Sequence, residues 1–207
     1  MADDVLRSDL TRFFRNRAHF DALEHYVLPE LMKIKQHTGN TTITVWSAGC
    51  STGEEPYSIA MLLSEMLPPP WTFEIVAGDI NLKCLRAAKA GFYSNSRIAG
   101  VSDRYLKTYF DKVDGGYRVH ADIRSKIRFD YHDLKNDSLL RNMDIVFCRN
   151  VMIYCDEPAK AAVIRRLWDS MAAQSFLFIG NSETLFGMNT KFEFVKTEWS
   201  TLYRKWT

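Results

Sequence analysis

The chain has 207 residues and a formal net charge of +2; 46% of its residues are hydrophobic and 25% are charged. A chain of this length and composition can bury a core of its own, which excludes the disordered, collagen-like and disulfide-stapled classes of protein. The near balance of charges does not suggest a nucleic-acid partner, because such proteins usually carry a clear basic excess.

The sequence contains no apolar run long enough to span a bilayer, and its first residues, MADDVLRSD, lack the apolar stretch of a secretory signal. The four cysteines form no CxxC pair. We therefore expect reduced thiols, no metal site, no insertion into a membrane and a cytoplasmic location.

Residues 9–37 have a helical pattern, and either Asp9 or Thr11 can cap its start. Pro29 falls inside this stretch. Because proline disrupts the interior of a helix but is tolerated in its first turn, we expect two helices, with Pro29 near the start of the second.

The next stretch alternates between strand and helix patterns. The β-branched residues of 41–48 predict a buried strand, and a helix that Pro56 opens follows a loop of small residues. Residues 73–79 predict a second strand, and 81–91 predict a helix closed by Gly91.

The pattern changes between Phe92 and Arg128, where short polar and β-prone pieces surround a hairpin-type turn, Asp114-Gly115-Gly116. Beyond it, strand and helix alternate again. This order predicts a mostly parallel, doubly wound α/β sheet with an insertion at 92–128. The predicted later elements are strands at 127–133, 143–148 and 175–180, a helix at 157–173, and two closing strands in KFEFV and STLYRKW.

The turn Ser47–Pro56 joins the first strand to its helix with small residues that allow close approach of a ligand backbone or polar group. Glu54 and Glu55 would repel a pyrophosphate and suit a ligand with a cationic centre. An ordinary strand–helix turn, whose acids favour the helix dipole, explains the same residues equally well.

Three further positions combine polar residues with the ends of predicted elements. Asp79, after the second strand, can accept hydrogen bonds from ribose hydroxyls or cap the following helix. FCRNVMIY offers Arg149, Asn150 and Tyr154 at the carboxyl end of a strand, where α/β sheets bind ligands, although a surface loop has the same pattern. In TRFFR (11–15), two aromatics can dock the helix while the arginines are solvated or face a site.

Four segments in this order, LTRFFRN…HF, WSAGCSTGEEPYSIAM, FCRNVMIY and GNSETLF, resemble the CheR family of chemoreceptor glutamate O-methyltransferases. The resemblance runs from about Asp9 to the C-terminus. It implies a Rossmann-like, S-adenosylmethionine-dependent methyltransferase sheet formed by 41–91 and 129–207, a small antiparallel β-subdomain inserted at 92–128, and a helical lead at 1–40.

The resemblance also implies the residues of the site. Arg15 and Tyr154 match the family positions nearest the transferred methyl group, and these two are the expected catalytic residues. The sequence departs from the family at Asp9 and Asp133, where Asn is frequent, and at Asn181, where His is common. The implied cofactor contacts are Thr11, Arg15, Glu55, Asp79, Asp133, Leu134, Arg149 and Asn150.

By the same resemblance, the protein transfers methyl groups from S-adenosylmethionine to glutamates on the cytoplasmic helices of chemoreceptors, as a monomer. Family members usually carry a separate helical domain before LTxFFR, so we expect an isolated catalytic domain or a reduced architecture. Two alternatives remain: a domain that binds S-adenosylmethionine without turnover, and a methyltransferase that acts on a different signalling protein.

The insertion has a basic excess, with eight Lys and Arg against four Asp between residues 92 and 128. It is either a solvated hairpin with scattered charges or a docking surface for an acidic, glutamate-rich helix. Some family members use this subdomain to bind a receptor-tail peptide through a longer, glycine-containing loop. The loop Asp111–Tyr117 is short by comparison, so we expect methylation that does not depend on the tail.

Overall fold

The computed structural model describes residues 11–207, so the proposed cap at Asp9 lies outside the described residues. The prediction of a helix from Thr11 onward is wrong for the first six described residues, which form a turn segment (11–16). Phe14 and Asn16 have positive φ angles of 50° and 60°. The Phe14 amide donates to Ser58 Oγ at 2.9 Å instead of to a helical carbonyl, so a long-range contact replaces the helix start.

The helical lead consists of α1 (Arg17–Ala22), a π-helical turn (Leu23–Val27) and α2 (Leu28–Gln36), which follow one another without a break. Pro29 is the second residue of α2, as the sequence predicted. Pro29 has no N–H for the preceding turn, and the π-helical turn directly before it accommodates the missing hydrogen bond.

Ten strands, five further α-helices and a short 3-10 turn (Met152–Tyr154) complete the described chain. The main sheet has seven strands in the order β6-β2-β1-β7-β8-β10-β9. The first five strands in this order are mutually parallel, and β10 is antiparallel to both of its neighbours, β8 and β9. The bounds are β1 Thr42–Ala48, α3 Glu54–Met66, β2 Thr72–Asp79, α4 Leu82–Ala90, β3 Phe92–Ser94, α5 Asp103–Tyr109, β4 Phe110–Val113, β5 Gly116–Val119, α6 Ala121–Arg124, β6 Ile127–Tyr131, β7 Met143–Cys148, α7 Glu157–Ser170, β8 Met171–Ile179, β9 Glu193–Lys196 and β10 Thr201–Lys205.

The main sheet is buried on both faces, as a doubly wound fold requires. Along β7, Ile145 and Phe147 belong to one hydrophobic cluster, whereas Val146 and Cys148 belong to the other. Successive side chains of a strand point to opposite faces, so the two clusters are the two cores on either side of the sheet. The predicted mostly parallel α/β sheet is therefore confirmed.

The order of the strands reverses at β1, which has β2 on one side and β7 on the other. Helical connections leave β1 and β7 in opposite directions at this point, so a crevice opens beyond the carboxyl ends of these strands. The turn after β1 and the loop after β7 border this crevice.

The predicted insertion contains a three-stranded antiparallel sheet in the order β3-β5-β4, and Asp114-Gly115 form the turn between β4 and β5. The sequence pattern did not predict the helices α5 and α6 within it. Strand β6 begins at Ile127 and pairs with β2, so the main sheet resumes before the predicted boundary at 129.

Several predicted boundaries differ from the structure; strand β6, for example, ends at Tyr131 and not at 133. Helix α3 begins at Glu54, which makes Pro56 its third residue, a position whose N–H has no intrahelical partner in any case. Helix α7 ends at Ser170, and β8 begins at Met171 with an irregular pairing to β7. The apolar run SFLFIG marks only the regular part of β8. Within residues 11–207, no helix is both long and apolar enough to cross a membrane.

Candidate active site

A cleft of about 320 Å³ lies beyond the carboxyl ends of β1, β2 and β7, and the segment 11–16 covers one side of it. The structure brings together all the residues that the family resemblance implied. The cleft is lined by Thr11, Arg15, Glu55, Asp79, Asp133, Leu134, Arg149, Asn150 and Tyr154, among others. Their individual roles remain predictions.

The turn after β1 brings the backbone close to the loop that follows β7. The amides of Gly49 and Cys50 both donate to the Gly78 carbonyl, at 2.8 and 2.9 Å, which fixes the turn against the end of β2. Gly49 has a φ of 84°, and a Cβ atom there would lie 2.6 Å from Val151 Cγ2. Only glycine satisfies both the backbone angle and the close approach.

Asp79 is the last residue of β2, and its carboxylate orders the adjoining loops. Its Oδ2 accepts a hydrogen bond from the Ser51 amide at 2.7 Å, and its Oδ1 accepts one from the Asn81 amide at 2.8 Å. The cap of α4 is Asn81, whose side chain accepts from two amides of the first turn. Asp79 is thus not the helix cap, and each carboxylate oxygen retains acceptor capacity toward the cleft.

Glu55 and Arg149 form an ion pair at the floor of the cleft. Arg149 Nε donates to Glu55 Oε2 at 2.7 Å, and Ser47 Oγ donates to Glu55 Oε1 at 2.7 Å. The side chain of Arg149 is only 3% exposed, and that of Glu55 only 12%. The pair joins α3, β1 and the end of β7 directly beneath the cleft.

Glu54 does not join Glu55 in the cleft, so the prediction that both acids face a cationic ligand is wrong for Glu54. Its side chain is fully buried and forms an ion pair with Arg97 of the insertion. Thr52 Oγ1 also donates to it, at 2.7 Å. Consecutive residues of a helix are about 100° apart around its axis, so the two carboxylates point to different partners.

Arg149 also connects the segment 11–16 to the sheet. Its Nη1 donates to the Arg15 carbonyl at 2.6 Å and contacts His19 Nδ1 at 3.2 Å. Burial and the charge of Arg149 lower the pKa of His19 to about 4, so its imidazole is neutral near pH 7. Arginine can only donate, so Nδ1 is the acceptor and the proton is on Nε2.

A cluster of guanidinium groups lies beside the cleft. Burial, and then the charges of Arg149 and Arg12, lower the pKa of Arg15. Glu55 offsets the charge of Arg149 through their ion pair. The field from Arg12 and Arg15 therefore makes this side of the cleft favourable for an anion.

Glu183 holds the loop after β7 in place. Its Oε2 accepts from the amides of Asn150 and Gly180, at 2.9 and 2.6 Å, and its Oε1 accepts from the Ile153 amide at 3.2 Å. Asn150 has a φ of 59°, and its buried Oδ1 has no hydrogen-bond partner among the described residues. Tyr154 ends a short 3-10 turn (Met152–Tyr154) and is half exposed at the edge of the cleft.

The loop after β6 closes the opposite side of the cleft. Asp133 Oδ1 accepts from the Lys135 amide at 3.0 Å, which tightens the turn. Leu134 packs its side chain against the second hydrophobic cluster. This loop supplies an apolar wall next to the carboxylate of Asp133.

Sequence reasoning missed three residues that position the site: Ser47, His19 and Glu183. All three lie in segments that carried the family resemblance, but their roles depend on contacts with residues far away in the chain. Glu183 belongs to GNSETLF, and a glutamate three residues after the predicted end of a strand was its only signal.

The chemistry of the cleft fits S-adenosylmethionine. Asp79 offers acceptors for ribose hydroxyls, Glu55 offers a negative charge to a cationic amino group, and the buried Asn150 Oδ1 can accept from a ligand donor. The helix that follows the turn after β1 presents the carboxylate of Glu55 to the cleft, and this negative charge would repel a phosphate group. Among the residues described, no group of three His, Cys, Asp or Glu side chains could hold a metal ion.

Comparison with known proteins identifies the family. Residues 9–201 match the family model described as "CheR methyltransferase, SAM binding domain". The chain is 35% identical over 199 residues to a chemotaxis protein methyltransferase of Borreliella burgdorferi, covering 93% of this chain and 70% of the relative. It is 34% identical over 212 residues to chemotaxis protein methyltransferase 1 of Pseudomonas aeruginosa, covering 99% and 76%.

Among solved structures, the glycopeptide N-methyltransferase MtfA complexed with S-adenosylmethionine aligns with a TM-score of 0.46 and 13% identity, covering 88% of this chain and 69% of that one. The family model and the curated relatives carry the assignment. The chain therefore belongs to the CheR methyltransferase family, and its cofactor is S-adenosylmethionine.

Proposed function

We propose that this protein transfers a methyl group from S-adenosylmethionine to glutamate side-chain carboxylates of chemoreceptors, giving glutamyl methyl esters. The relatives named as chemotaxis protein methyltransferases support this substrate class. The observation that carries the proposal is the arginine cluster beside the cofactor cleft. Arg12, Arg15 and Arg149 all line the cleft, and within residues 11–207 Arg12 and Arg15 are not offset as Arg149 is by Glu55, so this side of the cleft favours an anionic substrate.

A carboxylate acceptor also suits this cleft because its methylation needs no general base. The unperturbed pKa of glutamate is near 4.3, so the acceptor is already ionised at neutral pH and needs no general base. An amine that is protonated at neutral pH would first have to lose a proton. Of the described residues that line the cleft, none is a histidine, and the nearby neutral His19 is behind Arg149.

When bound, S-adenosylmethionine supplies a methyl group on a positively charged sulfur and leaves as S-adenosylhomocysteine. Asp79 would hold the ribose, Glu55 the amino group, and Asp133 with Leu134 the adenine, whereas Thr11, Arg149 and Asn150 complete the cofactor contacts. Arg15, which lines the cleft, would contact the cofactor and orient the substrate carboxylate.

Tyr154 would donate a hydrogen bond to the same carboxylate from the edge of the cleft. Neither Arg15 nor Tyr154 should bind it as a bidentate clamp, because a tight grip on the ground state slows transfer. The apolar side chains of Leu134, Val151 and Ile153 would keep water away from the reacting oxygen. We propose that the protein acts in the cytoplasm, as a monomer, on receptor helices.

The test is transfer of labelled methyl from S-adenosylmethionine to receptor-containing membranes from the same cell, followed by a base-lability assay for esters. Arg15→Ala should abolish transfer and retain at least part of the binding of S-adenosylhomocysteine, measured by calorimetry. Arg17→Ala is the matched control, because Arg17 is exposed and pairs with Asp21.

Base-stable methyl groups, or near-normal turnover of Arg15→Ala, would contradict the proposal. Binding of the cofactor without any transfer, to receptors or to other proteins of the cell, would instead favour a regulatory domain that only binds S-adenosylmethionine.

A further inference from the structure

A second groove, of about 230 Å³, adjoins the candidate active site. Ile153 lines both this groove and the cofactor cleft. Ile153 directly precedes Tyr154, so the groove begins one residue from the proposed reaction centre. Its other charged and apolar lining residues are Met152, Glu157, Lys160, Glu183, Phe186 and Met188.

The groove exposes large apolar side chains on a firmly held turn. Phe186 is 91% exposed and Ile153 is 47% exposed. On either side of Phe186, the Leu185 amide donates to Tyr203 Oη at 3.0 Å and the Met188 amide donates to the Leu185 carbonyl at 3.1 Å. Specific hydrogen bonds thus hold the turn that presents Phe186 at the groove that Ile153 also lines.

The charges in the groove are already satisfied by the protein itself. Lys160 pairs with Glu157 at 2.7 Å, and both carboxylate oxygens of Glu183 accept backbone amides. The hydroxyl residues Ser182 and Thr184 also line the groove, and its apolar surface comes from Met152, Ile153, Phe186 and Met188. The groove therefore complements an uncharged side chain that is mainly apolar. The flexible thioethers of Met152 and Met188 can adapt to apolar groups of different shape.

We propose that this groove binds an apolar side chain of the amphipathic receptor helix that carries the methylated glutamate. The proposal rests on the proposed function above and deepens it by naming a substrate contact. A helix brings residues three or four positions apart onto one face, about 5–6 Å from each other. A glutamate bound at Tyr154 would therefore turn another side chain of the same helix face toward the groove that Ile153 and Phe186 line.

The test uses the full chain and a soluble helical-hairpin fragment of a chemoreceptor from the same organism. Phe186→Ala should weaken binding of the fragment, measured by calorimetry with S-adenosylhomocysteine present, by about tenfold, the loss expected for one buried aromatic contact. It should raise the KM for the fragment similarly and leave the kcat and the affinity for S-adenosylhomocysteine unchanged. Leu139→Ala is the control, because Leu139 is 82% exposed and lines neither cavity.

The two proposals fail in different ways. If the wild-type protein methylates the fragment and Phe186→Ala has an unchanged KM, the groove proposal is wrong and the proposed function stands. If no methyl is transferred, the binding arm decides: a loss on Phe186→Ala supports the groove, and absent or unchanged binding overturns it. A dimer of the wild-type protein in ultracentrifugation that Phe186→Ala dissociates would also overturn it, since a second copy would then occupy the groove.

Discussion

Two buried ion pairs lie at opposite edges of the parallel sheet. At the amino edge, Lys35 pairs with Asp144 at 2.6 Å, and the amide and hydroxyl of Thr44 also donate to Asp144. At the carboxyl edge, Arg149 pairs with Glu55 and also contacts the Arg15 carbonyl and His19.

The two pairs have similar burial but different surroundings. Asp144 is buried among its partners, and neither Lys35 nor Asp144 lines a cavity described above. Arg149 and Glu55 line the cofactor cleft. The difference shows that the position in the parallel sheet, and not the pairing of charges itself, distinguishes a structural ion pair from one that can serve a ligand.

The largest expected effect is at the amino edge. Asp144→Ala leaves the buried ammonium of Lys35 without its carboxylate, which should lower the free energy of unfolding by about 3–5 kcal/mol. Denaturant unfolding measures this loss. Asp137→Ala, which removes an exposed pair with Arg141, is the control and should stay close to the wild type. Full stability of Asp144→Ala would show that the amino-edge pair is not structural.

At the carboxyl edge, Glu55→Gln should weaken binding of S-adenosylhomocysteine by roughly 1.5–3 kcal/mol, because a charged acceptor at the cleft floor is lost. Glu54→Gln is a matched control from the neighbouring residue. It removes the negative charge that pairs with Arg97, so it should destabilise the fold while the folded protein keeps its affinity. Calorimetry that finds equal affinities for both variants would remove Glu55 from the cofactor site.

The neutral His19 predicts a loss of stability in acid. Because its pKa is about 4 in the fold and near 6.5 when unfolded, the unfolded state binds the proton first as the pH falls. Stability should therefore decrease by about 1–2 kcal/mol between pH 7 and pH 5 on account of His19. His19→Asn, which keeps an acceptor for Arg149, should flatten this part of the profile, whereas His37→Asn at an exposed position should not. An unchanged profile for His19→Asn would contradict the assignment.

The smallest effect concerns the insertion. Lys112→Glu with Arg118→Glu reverses two exposed charges on neighbouring strands, and it should raise the KM for receptor about two- to fivefold at low salt and less at high salt. Arg124, another basic residue of the insertion, is less suitable for this test because its side chain is partly buried against Gly91. A KM that does not change with salt would favour the solvated-hairpin interpretation, and a sharp loss on deletion of the receptor tail would refute the expected tail independence.

The sequence predicted most of the main sheet because its strands are short apolar runs bounded by clear breaks, as in 143–148. Helix α4 was predicted with both ends, since Asn81 and Gly91 act through purely local contacts. The turn at 11–16 was missed, because the hydrogen bond from Phe14 to Ser58 joins residues 44 positions apart. Helices α5 and α6 are short, and their sequences give too few turns for a periodic pattern.

The candidate site could likewise be predicted only in part. Asp79, Arg149 and Asn150 were found because the carboxyl ends of parallel strands meet at one edge. The separate directions of Glu54 and Glu55 could not be predicted, since the partner of Glu54 is Arg97 in the insertion. Likewise, the partner of His19 lies 130 positions further along the chain.

The contacts between the insertion and the turn after β1 limit how this fold can be re-engineered. Tyr93 Oη donates to the Thr52 carbonyl at 2.7 Å, and Arg97 neutralises the fully buried Glu54. Excising the insertion would therefore leave the buried carboxylate of Glu54 without Arg97, its charge partner, inside the cofactor-binding half. The subdomain is consequently not a detachable module: a chimera that exchanges it between relatives must carry an arginine at position 97, or replace Glu54 in the same step.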